Sequence, residues 1–469
     1  MTHASLAELL ALTSLPEAAA ETCRIVGADP VLPTPFRIGT AGAAAIAAAA
    51  IAANELWAAR TQRPRQAIAI DLHHTVAALR SPRYLRIDGM APKEPFDRLS
   101  GLYAARNGRT VFLHCNFPNH RVAALNVLGF GAKVERSAVA AAIRDRDALA
   151  LEDAIHAAGG CAAFVRSPAE WARHPQSAAV ASLPLLEIER IGVAPPEPLP
   201  TGDRPLAGVR VLDLTRVLAG PTCARTLAEH GAEVLKVSGA HLPNSGDIEI
   251  DTGLGKRSAF LDLRQARDVE TLTSLVRDGR CDVFSQSYRP GALSARGFGA
   301  EALAALRPGI VEVELSAWGR RGPWAARRGF DTIVQCASGM AVIEGGDQPR
   351  LLPVSAIDYV SGYLMAAGAL VALLRRAREG GSWRIRVSLA RTGQWIVERG
   401  LIDAAAIDGL PKELPEAEIQ RITMETSSPL GLIRHLRPVA QMNETAPRWS
   451  HPPVPLGHDR PVWLAPGDA

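Results

Sequence analysis

The chain has 469 residues, of which 47% are hydrophobic and 21% charged, and its formal net charge is +4. These values describe ordinary folded material, enough for two or three domains and a large core. So small a charge on so long a chain argues against a nucleic-acid stripe or a membrane-surface face and leaves room for an anionic small substrate.

The first residues, Met1 to Glu21, lack a basic n-region and do not read as a secretory signal. The apolar run Ala41–Ala53 is alanine-rich and shorter than the roughly 20 residues of a bilayer span, so a buried core helix over Ala43–Arg60 is expected and no membrane partner. The six cysteines (Cys23, Cys115, Cys161, Cys223, Cys281, Cys336) show neither a CxxC nor a paired spacing. That pattern suits reduced thiols and a cytoplasmic protein, without a disulfide framework or metal site. After the helix come a short strand, AIAIDL, and a helix over His73–Leu79. Residues Gly101–Phe117 carry Asn107-Gly108 between alternating apolar runs, a hairpin signal, and a helix over Arg121–Leu128 follows. This divides the first half into a helical segment (1–82), a small α+β domain (83–150) and a return segment ending in the proline-rich linker APPEPLPTGDRP (151–204).

In the second half short apolar strands alternate with helical periods. Val209–Leu214, Ala232–Val237, RSAFLDL, CDVFSQ and IVEVELSAW are separated by helices over Gly220–His230, Asp268–Arg277 and Glu301–Leu306. Such alternation implies a doubly wound, Rossmann-like α/β parallel sheet over 205–400. Ligands then bind beyond the carboxyl ends of the strands, near Arg216–Pro221, Ser287–Pro290 and Ser316–Gly322. No GxGxxG follows Leu214, so a nicotinamide dehydrogenase receives no support. The tail, 401–469, is proline-rich and reads as irregular.

Within PVSAIDYVSGYLMAAGALVALL one carboxylate, Asp358, stands at the mouth of a long apolar helix. Alone, that residue is a helix cap or a nucleophile. A faint internal repeat aligns Ile70-Asp71-Leu72 with Val387-Ser388-Leu389, and at that offset Asp358 falls on Ala41.

Six segments recur in order: PLAGVRVLDLTRVLAGP, HGAEVLKV, GKRSAFLDL, DVFSQSYRPGAL, LSAWGRRGPW and RRGFDTIVQCASG. Together they closely resemble the family III CoA-transferases, the formyl-CoA and carnitine CoA-transferase type, whose superfamily includes α-methylacyl-CoA racemases. FDRLSGLYAARNGRTVFLHCNFPNHR and GGCAAFVRSPAEWARHPQ resemble that family's C-terminal part, so the layout looks fused or permuted.

The resemblance implies the family III fold, coenzyme A as substrate without a metal, and transfer of CoA between an acyl-CoA and a carboxylic acid. Asp358 matches the family's nucleophile. Arg216, Val217, Leu218 and Ala219 match backbone that approaches CoA. Lys256 and Arg257 match a basic pair suited to its phosphates. Ser287, Tyr288 and Arg289 match the segment flanking its adenine and pantetheine, and Arg328 matches a lysine in part of the family. An interlocked homodimer is implied as well. The racemases carry a histidine where this chain has Phe330, which favours transfer over racemisation. A non-catalytic CoA-binding subunit is the remaining alternative. Two departures stand out: KVSGAHLPNSGDIEI lacks an arginine usual there, and a glycine-rich loop over the aspartate is not evident.

Overall fold

In the computed structural model, which describes residues 1–93 and 96–465, the alanine-rich segment forms helix α1 (Ile38–Thr61). Alanine has the best intrinsic helix propensity, and its short side chain lets another helix backbone come close. The partner is the long helix α4 (Ala356–Glu379), and the two run packed together through the core. Both are long and apolar enough to cross a membrane, yet both are buried inside the protein.

The second half contributes helix α2 (Ala219–Glu229) and helix α3 (Asp331–Ala337) beside α4. Gly362 of α4 faces the start of α2. A Cβ there would lie 2.5 Å from the Ala219 carbonyl oxygen and 2.7 Å from Thr222 Cβ. Glycine is therefore what allows this close helix crossing.

The main sheet holds seven strands: β1 (Glu187–Gly192), β2 (Arg210–Asp213), β3 (Glu233–Ser238), β4 (Lys256–Phe260), β5 (Val283–Gln286), β6 (Val311–Ser316) and β7 (Ser382–Ser388). Their order is β4-β3-β2-β5-β6-β7-β1. All neighbours pair parallel except β1, an antiparallel edge strand on β7. The order reverses between β2 and β5, which opens a crevice at their carboxyl ends. β1 comes from the stretch before the proline-rich linker, so the first half of the chain finishes the sheet of the second.

The small domain is built on the expected hairpin. Gly101–Ala104 and Thr110–Leu113 pair across a turn in which Asn107 (φ 58) and Gly108 (φ 68) are left-handed. Its third strand, Ala162–Phe164, extends the unit past the expected boundary at residue 150. The faint repeat has a structural counterpart. Helix α1 leads to a strand, Ile68–Asp71, and a helix, Leu72–Ala78, as α4 leads to β7 and the helix Leu389–Glu398.

Up to Met442 the tail holds short helices and strands where irregular chain was expected, while residues 443–465 are outside any helix or strand. Thr423–Ser428 and Gly431–Leu436 form a hairpin that continues onto Arg86–Ile87, and Gln441–Met442 pairs with Ile68–Ala69. Residues such as His435 and Ile433 supply inward-facing positions, but their alternation is too short to stand out between prolines.

Candidate active site

A cavity of about 750 Å³ opens beyond the carboxyl ends of β2 and β3. Its walls come from both halves of the chain: Val217, Leu218, Phe330, Asp331 and Asp358 from the second, and Arg80, His114 and Phe117 from the first. That volume lies within the usual range for small-molecule sites.

Asp358 sits in the first turn of α4 and is 7% exposed. Ser355, at the cap position before the helix, makes no side-chain capping bond. The capping duty falls on another residue, Asp331 at the start of α3. One oxygen of its carboxylate accepts the backbone N–H of Asp358 at 3.0 Å, and the N–H of Ile357 is directed to it as well. The other oxygen accepts the Gln335 side-chain amide, and the Gln335 carbonyl in turn accepts the N–H of Leu352 at 2.8 Å. Asp331 thus satisfies amides that a helix start leaves without partners, and the carboxyl of Asp358 is free of that task.

Both carboxyls titrate high. Burial raises Asp358 well above the ordinary aspartate range, and the charge of Asp331 raises it further. Burial lifts Asp331 to about 6, against the pull of the Asp358 amide, the Gln335 side chain and the Ile357 amide. Two carboxylates this close resist ionising together. A carboxylate kept from water is a stronger nucleophile than a solvated one.

The loop leaving β2 is held in an unusual shape. Val217 has φ 71, a left-handed conformation that β-branched residues rarely adopt. Leu218 joins it on the cavity wall, and Ala219 is buried as the first residue of α2. Arg216 lies over the Phe117 ring, 5.3 Å from its centroid, and donates to the Pro243 carbonyl.

Three of the expected cationic residues converge. Burial first, then the guanidinium charges of Arg328, Arg216 and Arg289, push the His120 imidazole down to about 4. Arg328 donates to the Gly159 carbonyl at 2.8 Å, and the charge of Arg289 acts on it too. Tyr288 is raised by burial and pulled back by Arg216. Ser287, just past the end of β5, is half-buried beside it. Clustered arginines of this kind suit phosphate oxygens.

Lys256 and Arg257 stand apart from this cluster, a correction to their expected place on a phosphate. Lys256 is 2% exposed and donates to Asp213 at 2.7 Å and to the Pro221 carbonyl at 2.8 Å. Arg257 donates to the Val462 carbonyl at 2.7 Å and lies 3.6 Å from Asp459. Each is already occupied inside the fold, Lys256 as a buried ion pair between β4 and β2.

Two residues of the site were not foreseen. Asp331 was visible as a carboxylate directly after Phe330, but its partner amides lie on another helix. His114 was hidden by distance along the chain. It stacks face to face on Phe330, with ring centroids 3.9 Å apart and planes at 2°. A histidine therefore does stand beside Phe330 in space, although the sequence around Phe330 has none. Among the described residues no cluster of three metal-ligating side chains is present.

The comparisons with known proteins come to the same region. Residues 206–424 match the model of CoA-transferase family III. The acetyl-coenzyme A transferase nodX of Hypoxylon pulicicidum is 36% identical over 202 residues, 41% of this chain and 34% of that protein. An acyl-CoA transferase of Gibberella moniliformis is 29% identical over 367 residues, 67% of this chain and 64% of that protein. A solved structure of Rv3272 from M. tuberculosis aligns with a TM-score of 0.40 and 29% identity, over 42% of this chain and 56% of that chain. The chain thus spans between 34% and 64% of the length of these curated relatives.

Proposed function

We propose, from the premise that residues 206–424 are a family III CoA-transferase region, that the protein moves coenzyme A between an acyl-CoA thioester and a carboxylic acid, with Asp358 as the covalent nucleophile. The observation that carries this reading is the Asp358 carboxyl, buried on a cavity wall with its helix start capped by Asp331 instead of itself.

The chemistry balances without a metal or an external proton. An Asp358 oxygen attacks the thioester carbonyl carbon, the carbon–sulfur bond breaks, and CoA leaves as thiolate, giving a mixed anhydride. The thiolate then attacks the Asp358 carbonyl carbon, releasing the first acid as carboxylate and leaving an aspartyl-CoA thioester. The acceptor carboxylate attacks that thioester, and the returning thiolate takes its acyl group, which regenerates Asp358. Each step divides one slow exchange into easier parts. Arg216, Arg289 and Arg328 are the groups that would meet the phosphates of CoA, while the strained Val217 loop lines the route to Asp358. A cytoplasmic location and a homodimer belong to the same proposal. The cavity draws on both halves of one chain.

The test is direct. Incubation with a panel of acyl-CoAs, followed by hydroxylamine or borohydride, should leave a mass-shifted peptide carrying Asp358. A protein that binds CoA yet yields no such peptide with any of the panel is a CoA-binding subunit and not a transferase.

A second reading, α-proton exchange on an acyl-CoA, has one observation behind it, the histidine beside Phe330. Burial and the neighbouring His120 hold His114 neutral, with its pKa pushed down to about 3. A neutral imidazole cannot deliver the second proton that racemisation needs. Loss of deuterium from the α-carbon of an α-methylacyl-CoA, with no acceptor acid present, would reverse this preference.

A further inference from the structure

A second, smaller cavity has no part in the transfer steps above. Its volume is about 310 Å³, and it lies beyond the carboxyl ends of β3 and β4, with Ser238, Gly239, Phe260, Val454 and Leu456 among its walls. It adjoins the Asp358 cavity, because Asn244 and Gly246 line both. Arg216 stands where the two meet. It lines the smaller cavity, and the next residue, Val217, lines the larger. Its guanidinium meets the Pro243 carbonyl and the Phe117 ring, neither of which cancels its charge. Two other charged residues of the smaller cavity, Lys236 and Glu249, pair with each other at 2.6 Å.

The outer wall belongs to the tail, beyond the residues 206–424 that match the family. Ahead of this wall, the Trp449 ring N–H donates to the Arg225 carbonyl at 3.1 Å, and the His451 carbonyl accepts the Gly255 N–H at 2.9 Å. Past it, Asp459 bonds Ser258 of the edge strand β4 in both directions. Its carboxylate accepts the Ser258 N–H at 2.8 Å, and its N–H donates to the Ser258 carbonyl at 2.7 Å. The tail is thus a strap fastened on either side of the cavity. Between the fastenings Pro452, Pro453 and Pro455 have no N–H and little freedom in φ, so the strap is stiff where Val454 and Leu456 line the cavity. Across from them Phe260 is 40% exposed. A Cβ at Gly457 (φ 75) would collide with the Phe260 ring, so the strap turns directly against it.

An open aromatic ring, two aliphatic side chains and an uncompensated guanidinium suit a flat, uncharged heterocycle joined to phosphates. Resting on the transferase reading of the adjoining cavity, we propose that this smaller one takes the adenine of coenzyme A, held between Phe260 and the tail strap at Val454 and Leu456. Arg216 then meets the pyrophosphate, and the thioester arm passes Val217 to reach Asp358. The volume suits a base and its sugar, at the lower end of the usual range for ligand sites.

The test compares binding of coenzyme A with that of 4′-phosphopantetheine, the same thiol arm without the nucleotide. Neither carries an acyl group, so turnover cannot interfere. Coenzyme A should bind more tightly. Phe260→Ala should shrink that ratio of Kd values about tenfold, the worth of one base stacked on an aromatic ring, by weakening coenzyme A while leaving 4′-phosphopantetheine unchanged. Ala240→Phe fills the cavity from an exposed position on its wall and should shrink the ratio as well, which covers the case that Phe260→Ala does not fold. AMP distinguishes this site from one for a free nucleotide and should bind far more weakly than coenzyme A. The proposal is overturned if the parent binds coenzyme A and 4′-phosphopantetheine alike, if the ratio survives in the folded variants, or if AMP matches coenzyme A. Failure to trap an acyl group on Asp358 would instead remove the transferase reading and leave this binding result standing.

Discussion

At the scale of single residues, the site rests on the division of labour between two aspartates. Asp358 has a raised pKa in the folded chain, first from burial and then from Asp331. For an acid, a folded value above the unfolded one means that its stabilising contribution is complete below the unfolded pKa, near 4 for aspartate. It is lost as pH rises through the folded value. Asp358→Asn cannot ionise. Thermal melts should therefore show the variant no less stable than the parent at neutral pH, with a difference in its favour that grows as pH increases. Its transfer activity should fall on the order of a thousandfold or more. Asp331→Asn tests the coupling. An asparagine oxygen can still accept the Asp358 N–H, but the charge that opposes Asp358 ionisation is gone. The nucleophile is the ionised form, so activity rises with pH through the Asp358 pKa. In Asp331→Asn that acid limb should move to lower pH, as read from kcat across a pH series. An unmoved limb would mean that another group sets the profile.

Elements bring these residues together by close helix packing. The loop after β2 and the start of α4 must stay in register for Val217 and Asp358 to share one wall, and Gly362 sets their spacing. In Gly362→Ala the new methyl would press on the Ala219 carbonyl and Thr222, both backbone-anchored. Overpacking of this kind costs roughly 1–3 kcal/mol, and the displaced helix start should lower kcat more than it weakens CoA binding. Gly131→Ala is the control, since nothing lies within 4 Å of its added methyl. Denaturant midpoints and steady-state kinetics on both variants check this. Much at this scale was legible in the chain: alternating strands and helices over 205–400, the Asn107-Gly108 hairpin and the alanine-rich core helix all carry local signals. What escaped depends on distant partners. Lys256 resembles a phosphate ligand until Asp213 is seen 2.7 Å away, and the tail hairpin acquires its third strand only from Arg86–Ile87. His114 joins Phe330 through tertiary packing that no local periodicity encodes.

Over the whole molecule, the two halves pack against each other and are joined by a linker that is exposed at Thr201–Asp203. Behind the nucleophile, Tyr359 of α4 shares a hydrogen bond with Ser81 at 3.0 Å, and Ser81 donates to Asp251 at 2.6 Å. Asp251 is paired with Arg225 of α2 at 2.8 Å, so this buried chain crosses from the first half to the second. Beside it α1 covers α4, β1 completes the main sheet, and the tail pairs with the first half. The segment Thr201–Asp203 is exposed and outside any helix or strand, where cleavage breaks no regular hydrogen-bond ladder. A protease site placed there should allow the chain to be cut after folding while both pieces co-elute on size-exclusion chromatography and acyl transfer persists. Residues 205–469 produced alone would bare the apolar face of α4 that α1 covers, together with the β7 edge. Such a fragment should aggregate or melt without cooperativity, and simultaneous production of residues 1–204 should restore a soluble, active pair. Separation of the cut pieces under native conditions would show instead that the halves are independent domains, and that the shared cavity walls contribute little to holding them together.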